Sequence, residues 1–162
     1  MQTNTNSAAE FIFTMGLPGA GKSTVVVSKH ESTHVVIDSD KIMASHPEYN
    51  PNDPNALYEW AAAEAEALFM RSVAARAGKY LVDSTGTNSE RMVRQMTQAR
   101  AMGFTVRLIY VQCSLATSIK RNANRARKVP EWVIRQKAMD IATSFEIVAP
   151  HADSIEIVQN DG

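Results

Sequence analysis

Eight residues near the start of the chain, Gly16-Leu17-Pro18-Gly19-Ala20-Gly21-Lys22-Ser23, carry the spacing G-x-x-x-x-G-K-S, which wraps backbone around a phosphate. The backbone must curl with its N–H groups turned inward, along a path that often takes positive φ and leaves no room for a Cβ. Glycines, and the pair Pro18-Gly19, suit that path. A helix expected from about Lys22 adds unpaired N-terminal donors and the positive end of its dipole to the same spot. Lys22 is then placed to bridge a β- and a γ-phosphate, and the Ser23 hydroxyl to ligate Mg2+. A glycine-rich turn could arise without this purpose. Here, however, every position of the pattern is filled, and the apolar run Phe11-Ile12-Phe13-Thr14-Met15 precedes it as a buried strand. Gly16, Pro18, Gly19, Ala20, Gly21, Lys22, Ser23 and Thr24 are therefore the expected nucleotide contacts.

A held triphosphate is poised for phosphoryl transfer, which also calls for a metal, a cationic clamp and a base that orients the attacking hydroxyl. Two further strand-like runs end in suitable groups: one in Asp38-Ser39-Asp40, the other in Asp83-Ser84-Thr85-Gly86. Asp38 and Asp40 are two apart, so on an extended segment they point the same way, one as base and the other holding a metal-bound water. The plainer alternative makes Asp40 only the N-cap of a short helix at 41–45. The clamp is expected in 120–128, where Lys120, Arg121, Arg125, Arg127 and Lys128 cluster in a chain of zero net charge. Arg121 and Arg125 are four apart and share a helix face, so one can stack on an adenine while the other reaches the phosphates, as in a lid.

These residues need elements to position them. Strand-like runs fall at 10–15, 34–38, 79–83, 104–111 and 154–158. Between them, 55–77 repeats Leu57, Ala61, Ala65, Phe69 and Val73 on one helical face, with Gly78 as a stop. Thr87-Asn88-Ser89-Glu90 reads as a capping box for a helix ending near Gly103, Ser114 starts another, and Pro130-Glu131 sits in the first turn of the last. Strands alternating with helices imply an α/β fold whose parallel sheet is covered on both faces, with ligands at the carboxyl ends of the strands. At 162 residues and 44% hydrophobic, the chain fits one domain over 1–162, its residues 1–9 a flexible tail. Balanced charge, 17 basic against 17 acidic residues, gives no general pull toward nucleic acid, so any such contact rests on local patches. Cys113, the single cysteine, sits in an apolar run as a buried, inert thiol. No signal peptide or membrane-length apolar run is present, so a reducing, cytoplasmic setting is expected. Tyr58, Trp60 and Phe69 either line an acceptor cleft or belong to the core.

The phosphate loop, Asp38-Ser39-Asp40, the stretch 83–91, and Arg121-Asn122-Ala123-Asn124-Arg125 followed by Val129-Pro130 together resemble the kinase domain of phage polynucleotide kinases. More broadly they are similar to the P-loop kinases that include zeta toxins, and the likeness runs over 11–147. The resemblance implies a three-layer, nucleoside-kinase-like P-loop NTPase with a central parallel sheet and an arginine-bearing lid over 117–130. It implies ATP and Mg2+, and transfer of the γ-phosphate to a hydroxyl of a nucleic acid. By position it makes Asp40 the general base, Lys22 and Ser23 the phosphate and metal ligands, and Arg125 the lid arginine, with Asp38 and Asp83 reaching the metal through water. Two departures bear on the acceptor. Members acting on 5′-hydroxyl ends carry an arginine a few residues after the base and an aspartate that supports it, whereas Met43 and Ser84 stand at those places here. The sequence thus favours kinases that phosphorylate 5-hydroxymethyluracil within DNA, in the host cytoplasm if phage-encoded, with DNA as partner and neither a membrane nor an obligate protein partner. The alternatives are a 5′-hydroxyl polynucleotide kinase and a zeta-toxin-like kinase of a small nucleotide or sugar. A nucleotide-binding switch, which needs neither Asp40 nor the arginine pair, comes last.

Overall fold

The computed structural model describes residues 8–125 and 128–161. Its strands, β1 (Glu10–Met15), β2 (Val35–Ile37), β3 (Lys79–Val82), β4 (Thr105–Gln112) and β5 (Ser154–Gln159), form one parallel sheet in the order β2-β3-β1-β4-β5. Parallel neighbours cannot be joined by hairpins, so helices make the crossings. In chain order these are α1 (Ser28–His30), α2 (Ser39–Ala44), α3 (Tyr58–Ala74), α4 (Ser89–Ala101), α5 (Leu115–Ala123) and α6 (Glu131–Val148).

Alternation along β1 explains the layers. Phe11, Phe13 and Met15 pack with Phe69 and Val73 of α3, Met92 and Met96 of α4, and Ile141 and Val148 of α6. Ile12 points the other way, into a second cluster with Val26, Val27, Leu81, Ile109 and Val111. Both faces are buried, which is why the strands read as nearly unbroken apolar runs. Phe69 belongs wholly to the first cluster, its ring 5.2 Å from that of Phe11, and is not available to line a cleft.

Several boundaries differ from expectation, each for a local reason. The helix expected over 55–77 begins as a 3-10 turn, Pro54–Leu57, before α3 proper, and positive φ at Arg76 and Gly78 turns the chain into β3. The cap of α4 is Asn88, whose side chain accepts from the Arg91 amide at 3.1 Å, so Thr87 is left free of that duty. After the phosphate loop the chain winds first as a wide π turn over Ser23–Val27 and only then as α1. Within the expected flexible tail, residues 1–7 lie outside the described residues, but the Ala9 carbonyl accepts from Thr105 N at 2.9 Å and so prolongs the sheet. Cys113 is half-buried, and burial pushes its thiol pKa up, as suits an inert side chain. Among the described residues no helix is long and apolar enough to cross a membrane.

Candidate active site

The carboxyl ends of β1, β2 and β3 converge on one place. From β1 the chain enters the phosphate loop, whose outer carbonyls are taken one after another: Pro18 O by Ser118 Oγ, Gly19 O by Arg121 Nη1 at 3.1 Å, and Ala20 O by Arg121 Nη1 at 3.3 Å and Asn160 Nδ2 at 2.8 Å. In a trans peptide the next amide points away from its carbonyl, so these bonds turn the Gly19 and Gly21 N–H groups to the opposite side. Gly21 holds φ at 97°, and a Cβ there would strike the Asn160 side chain, so only glycine fits. Gly16 N donates to Thr85 O at 3.0 Å, tying the loop to the exit of β3. Lys22 Nζ donates to Gly16 O at 2.9 Å and Leu17 O at 3.3 Å, which keeps the ammonium inside the loop, while Ser23 and Thr24 are exposed at its mouth.

Thr14 sets the β3 side. It is a fully buried hydroxyl on an otherwise apolar strand, so it must find partners. It donates to Asp83 Oδ1 at 2.8 Å and accepts from Ser84 N at 3.0 Å, fixing the carboxylate that follows β3. From the other side Ser144 of α6 donates to Gly86 O. Neither Thr14 nor Ser144 was singled out from sequence; a lone threonine between phenylalanine and methionine in a strand was the available signal for the first.

The β2 side corrects one expectation. Helix α2 starts at Ser39, and its N-cap is Asp38, whose Oδ1 accepts from Asp40 N at 2.9 Å and Lys41 N at 3.4 Å. Asp40 therefore does not cap; it lies exposed in the first turn, and the two carboxylates do not share an extended segment. Burial, and then the negative charges of Asp83 and Asp40, push the Asp38 pKa up to about 6. Lys22 feels all of these groups. Burial lowers its pKa, while the charges of Asp83, Asp38 and Asp40 act to raise it and that of Arg125 to lower it.

The basic run begins in α5. Asn122 is buried and its amide grips both backbone groups of Val129, donating from Nδ2 to the carbonyl at 2.7 Å and accepting from the N–H at 2.9 Å. This closes the loop after Arg125 as a strand neighbour would. Arg125 is exposed just past the end of α5, its amide bonded to Asn122 O at 3.1 Å, so, contrary to expectation, it does not share a helix face with Arg121. Residue Arg127 of the basic run lies outside the described residues, and Arg121 is turned inward to the phosphate loop.

Beside this centre lies a cavity of about 90 Å3 between α3 and α4, lined among others by Ser39, Tyr58, Asp83, Ser84, Asn88 and Arg91. Ser84 thus faces the cavity. Met43 does not, since it is 1% exposed in the core beneath α2. Trp60 stands outside, edge-on to His46 with ring centroids 4.7 Å apart.

A metal fits these donors in one manner. Among the described residues no three carboxylate, histidine or cysteine side chains stand close enough to chelate an ion alone. Mg2+ keeps much of its water and takes phosphate oxygens, so Ser23 with crowded, charge-raising carboxylates reached through water suits it.

Comparison with known proteins agrees with this geometry. A family model described as an AAA domain matches residues 11–147, so the chain belongs to that family. None of the curated proteins matches in sequence. Among solved structures, one from the PezAT chromosomal toxin–antitoxin system of Streptococcus pneumoniae superposes with a TM-score of 0.66 at 19% identity, covering 94% of this chain and 68% of its own. Shikimate kinase from Acinetobacter baumannii gives 0.58 at 16% identity, covering 93% and 84%. A gluconokinase from Sinorhizobium meliloti gives 0.53 at 18% identity, covering 94% and 83%. The fold is that of a nucleoside-kinase-like P-loop NTPase, an architecture that implies nucleotide binding.

Proposed function

We propose that this chain is an ATP-dependent kinase that phosphorylates a small alcohol. The observation that carries the reading is a complete phosphate loop that holds Lys22 Nζ against its own carbonyls, with Asp38 capping α2 and Asp83 fixed by Thr14 at the neighbouring strand ends, next to a small cavity lined in part by Ser39, Asp83 and Ser84. A protein that only binds nucleotide has no use for a carboxylate exposed at that point.

In this reading the phosphate-loop amides and Lys22 hold the β- and γ-phosphates, Ser23 reaches the metal, and Asp38 and Asp83 orient its water ligands. Mg2+, when bound, neutralises charge across the β- and γ-oxygens. Asp40 accepts the proton of the acceptor hydroxyl. The hydroxyl oxygen bonds to the γ-phosphorus as the bridging bond to the β-phosphate breaks, and ADP leaves. Arg125 meets the charge that builds on the transferring group, and the reaction proceeds in the cytoplasm.

The neighbours named as shikimate kinase and gluconokinase lend support to a small acceptor, as does the size of the cavity. The direction of the basic run supports it too. Arg121 faces the phosphate loop and Arg125 acts on Lys22, which leaves Lys120 and Lys128, among the described residues of the run, for a DNA backbone. A hydroxymethyl base in DNA, presented by base flipping, is the second reading. A 5′-hydroxyl end is disfavoured, because Met43 lies in the core where a phosphate-gripping arginine would be needed.

An ATP-consumption screen tests this. Its arms are sugars, sugar acids and nucleosides, a 5′-blocked oligonucleotide with internal 5-hydroxymethyluracil, and an oligonucleotide with a free 5′-hydroxyl and ordinary bases. Turnover with a small alcohol alone is expected; label on either oligonucleotide alone overturns the small-acceptor reading. Asp40→Asn should leave ATP affinity unchanged and lower the rate by about 10²–10⁴. Lys22→Ala should nearly abolish transfer, and wild-type turnover there would refute the assignment of the phosphate loop.

A further inference from the structure

Two cations at the cavity, one in its lining and one at its edge, have no part in the reaction above. Arg91, one turn into α4, lines it beside Ser84 and Asn88, and is only partly exposed. Lys137 reaches over from α6, where its Nζ donates to Thr87 Oγ1 at 3.4 Å, one residue from Asn88. Among the described residues neither cation has a carboxylate within ion-pair distance. The acid nearest to hand, Glu66 of α3, is engaged elsewhere, by Arg94 Nη1 at 2.9 Å and Gln95 Nε2 at 3.1 Å.

The start of α4 brings the two charges to one edge of the cavity, since Lys137 bonds Thr87 and Arg91 lines the cavity with Asn88. Lys137 has its pKa lowered by burial first and by Arg91 next, while Asp40 and Asp140 act to raise it. Two half-buried cations side by side repel and lose hydration, which is unfavourable unless an anion is to come between them. Thr87 accepts one bond from Lys137, and Asn88, Ser84 and Tyr58, with the carboxylates of Asp83 and the Arg94-paired Glu66, complete the surroundings.

We infer that the acceptor alcohol carries an anionic group of its own, a carboxylate or a phosphate ester, gripped by Arg91 and Lys137 while its hydroxyl is offered to Asp40. Arg91 supplies a planar fork matched to either oxyanion, and Lys137 a point charge. The inference rests on the kinase reading and narrows its substrate class.

The test is calorimetric titration of the whole chain saturated with a non-hydrolysable ATP analogue and Mg2+, so that the phosphate loop is filled. The titrants are matched pairs: D-glycerate against glycerol, gluconate against glucose, ribose 5-phosphate against ribose. At least one anionic member should bind about tenfold or more tightly than its neutral partner. Whether the preferred probe is a carboxylate or a phosphate ester identifies the source of the charge. Arg91→Gln and Lys137→Met should each erase that preference while affinity for the ATP analogue is retained, which also shows that the variants fold. Equal binding within every pair, or a preference that survives both substitutions, overturns the inference. Failure of the wild-type chain to bind the ATP analogue would instead overturn the kinase reading beneath it.

Discussion

Asp38 does two jobs that pull against each other: it caps α2 through two amides, and burial together with the nearby charges of Asp83 and Asp40 pushes its pKa to about 6. A folded pKa above the ordinary value of 3.8 means that the native state binds this proton more readily than the unfolded chain. The contribution is therefore full below about pH 4 and is lost as pH rises through about 6. Urea unfolding of the nucleotide- and metal-free protein should show stability falling by on the order of 1 kcal/mol across that window, after allowance for solvent screening. Asp38→Asn should flatten the slope while keeping the cap, since asparagine caps as well as aspartate. A slope unchanged in the variant would assign it to other groups. At this scale the phosphate loop was legible because its chemistry tolerates few residue types. The partner of Asp83 was not, since nothing in the run Phe13-Thr14-Met15 says which of two sheet faces its hydroxyl meets.

Among the elements, α5 is the one whose sequence motif gains a physical meaning from the structure. The pattern Arg121-Asn122-Ala123-Asn124-Arg125 with Val129-Pro130 after it stood out in the sequence, but the reason for its asparagine did not. That reason is a pair of bonds to Val129 across seven residues. Asn122→Ala should leave Val129 N and O without partners and free the loop that follows Arg125. The expected result is a fall in kcat with nucleotide KM little changed, and a stability cost of about 1–3 kcal/mol by urea unfolding. Asn122→Asp, which can accept from Val129 N but not donate to its carbonyl, should fall between. A drop in stability with kcat intact would reduce Asn122 to a packing residue. The limits of α4 shifted because two capping choices stood side by side at Thr87 and Asn88, and those of α3 because a 3-10 turn over Pro54–Leu57 precedes it. Periodicity fixes which face is buried; it does not choose between adjacent caps.

For the molecule as a whole, the sheet order brings distant segments to one rim. The order β2-β3-β1-β4-β5 sets β1 in the middle, so its carboxyl end gathers residues from strands on both sides. Alternation of strands and helices made the layers legible, but not that the residue after β5 would serve the loop after β1. Asn160→Ala removes the bond to Ala20 O, so nucleotide affinity should weaken about three- to tenfold, with overall stability nearly unchanged. Unaltered affinity by calorimetry would show that Ser118 and Arg121 hold the loop unaided. The anchors of the phosphate loop lie 100, 102 and 140 residues farther along the chain. At roughly 5–20 residues per second, a ribosome takes several seconds or more after making the loop to deliver the last of them. Throughout that interval the nascent chain owns the glycines and the lysine but not all of the bonds that shape them.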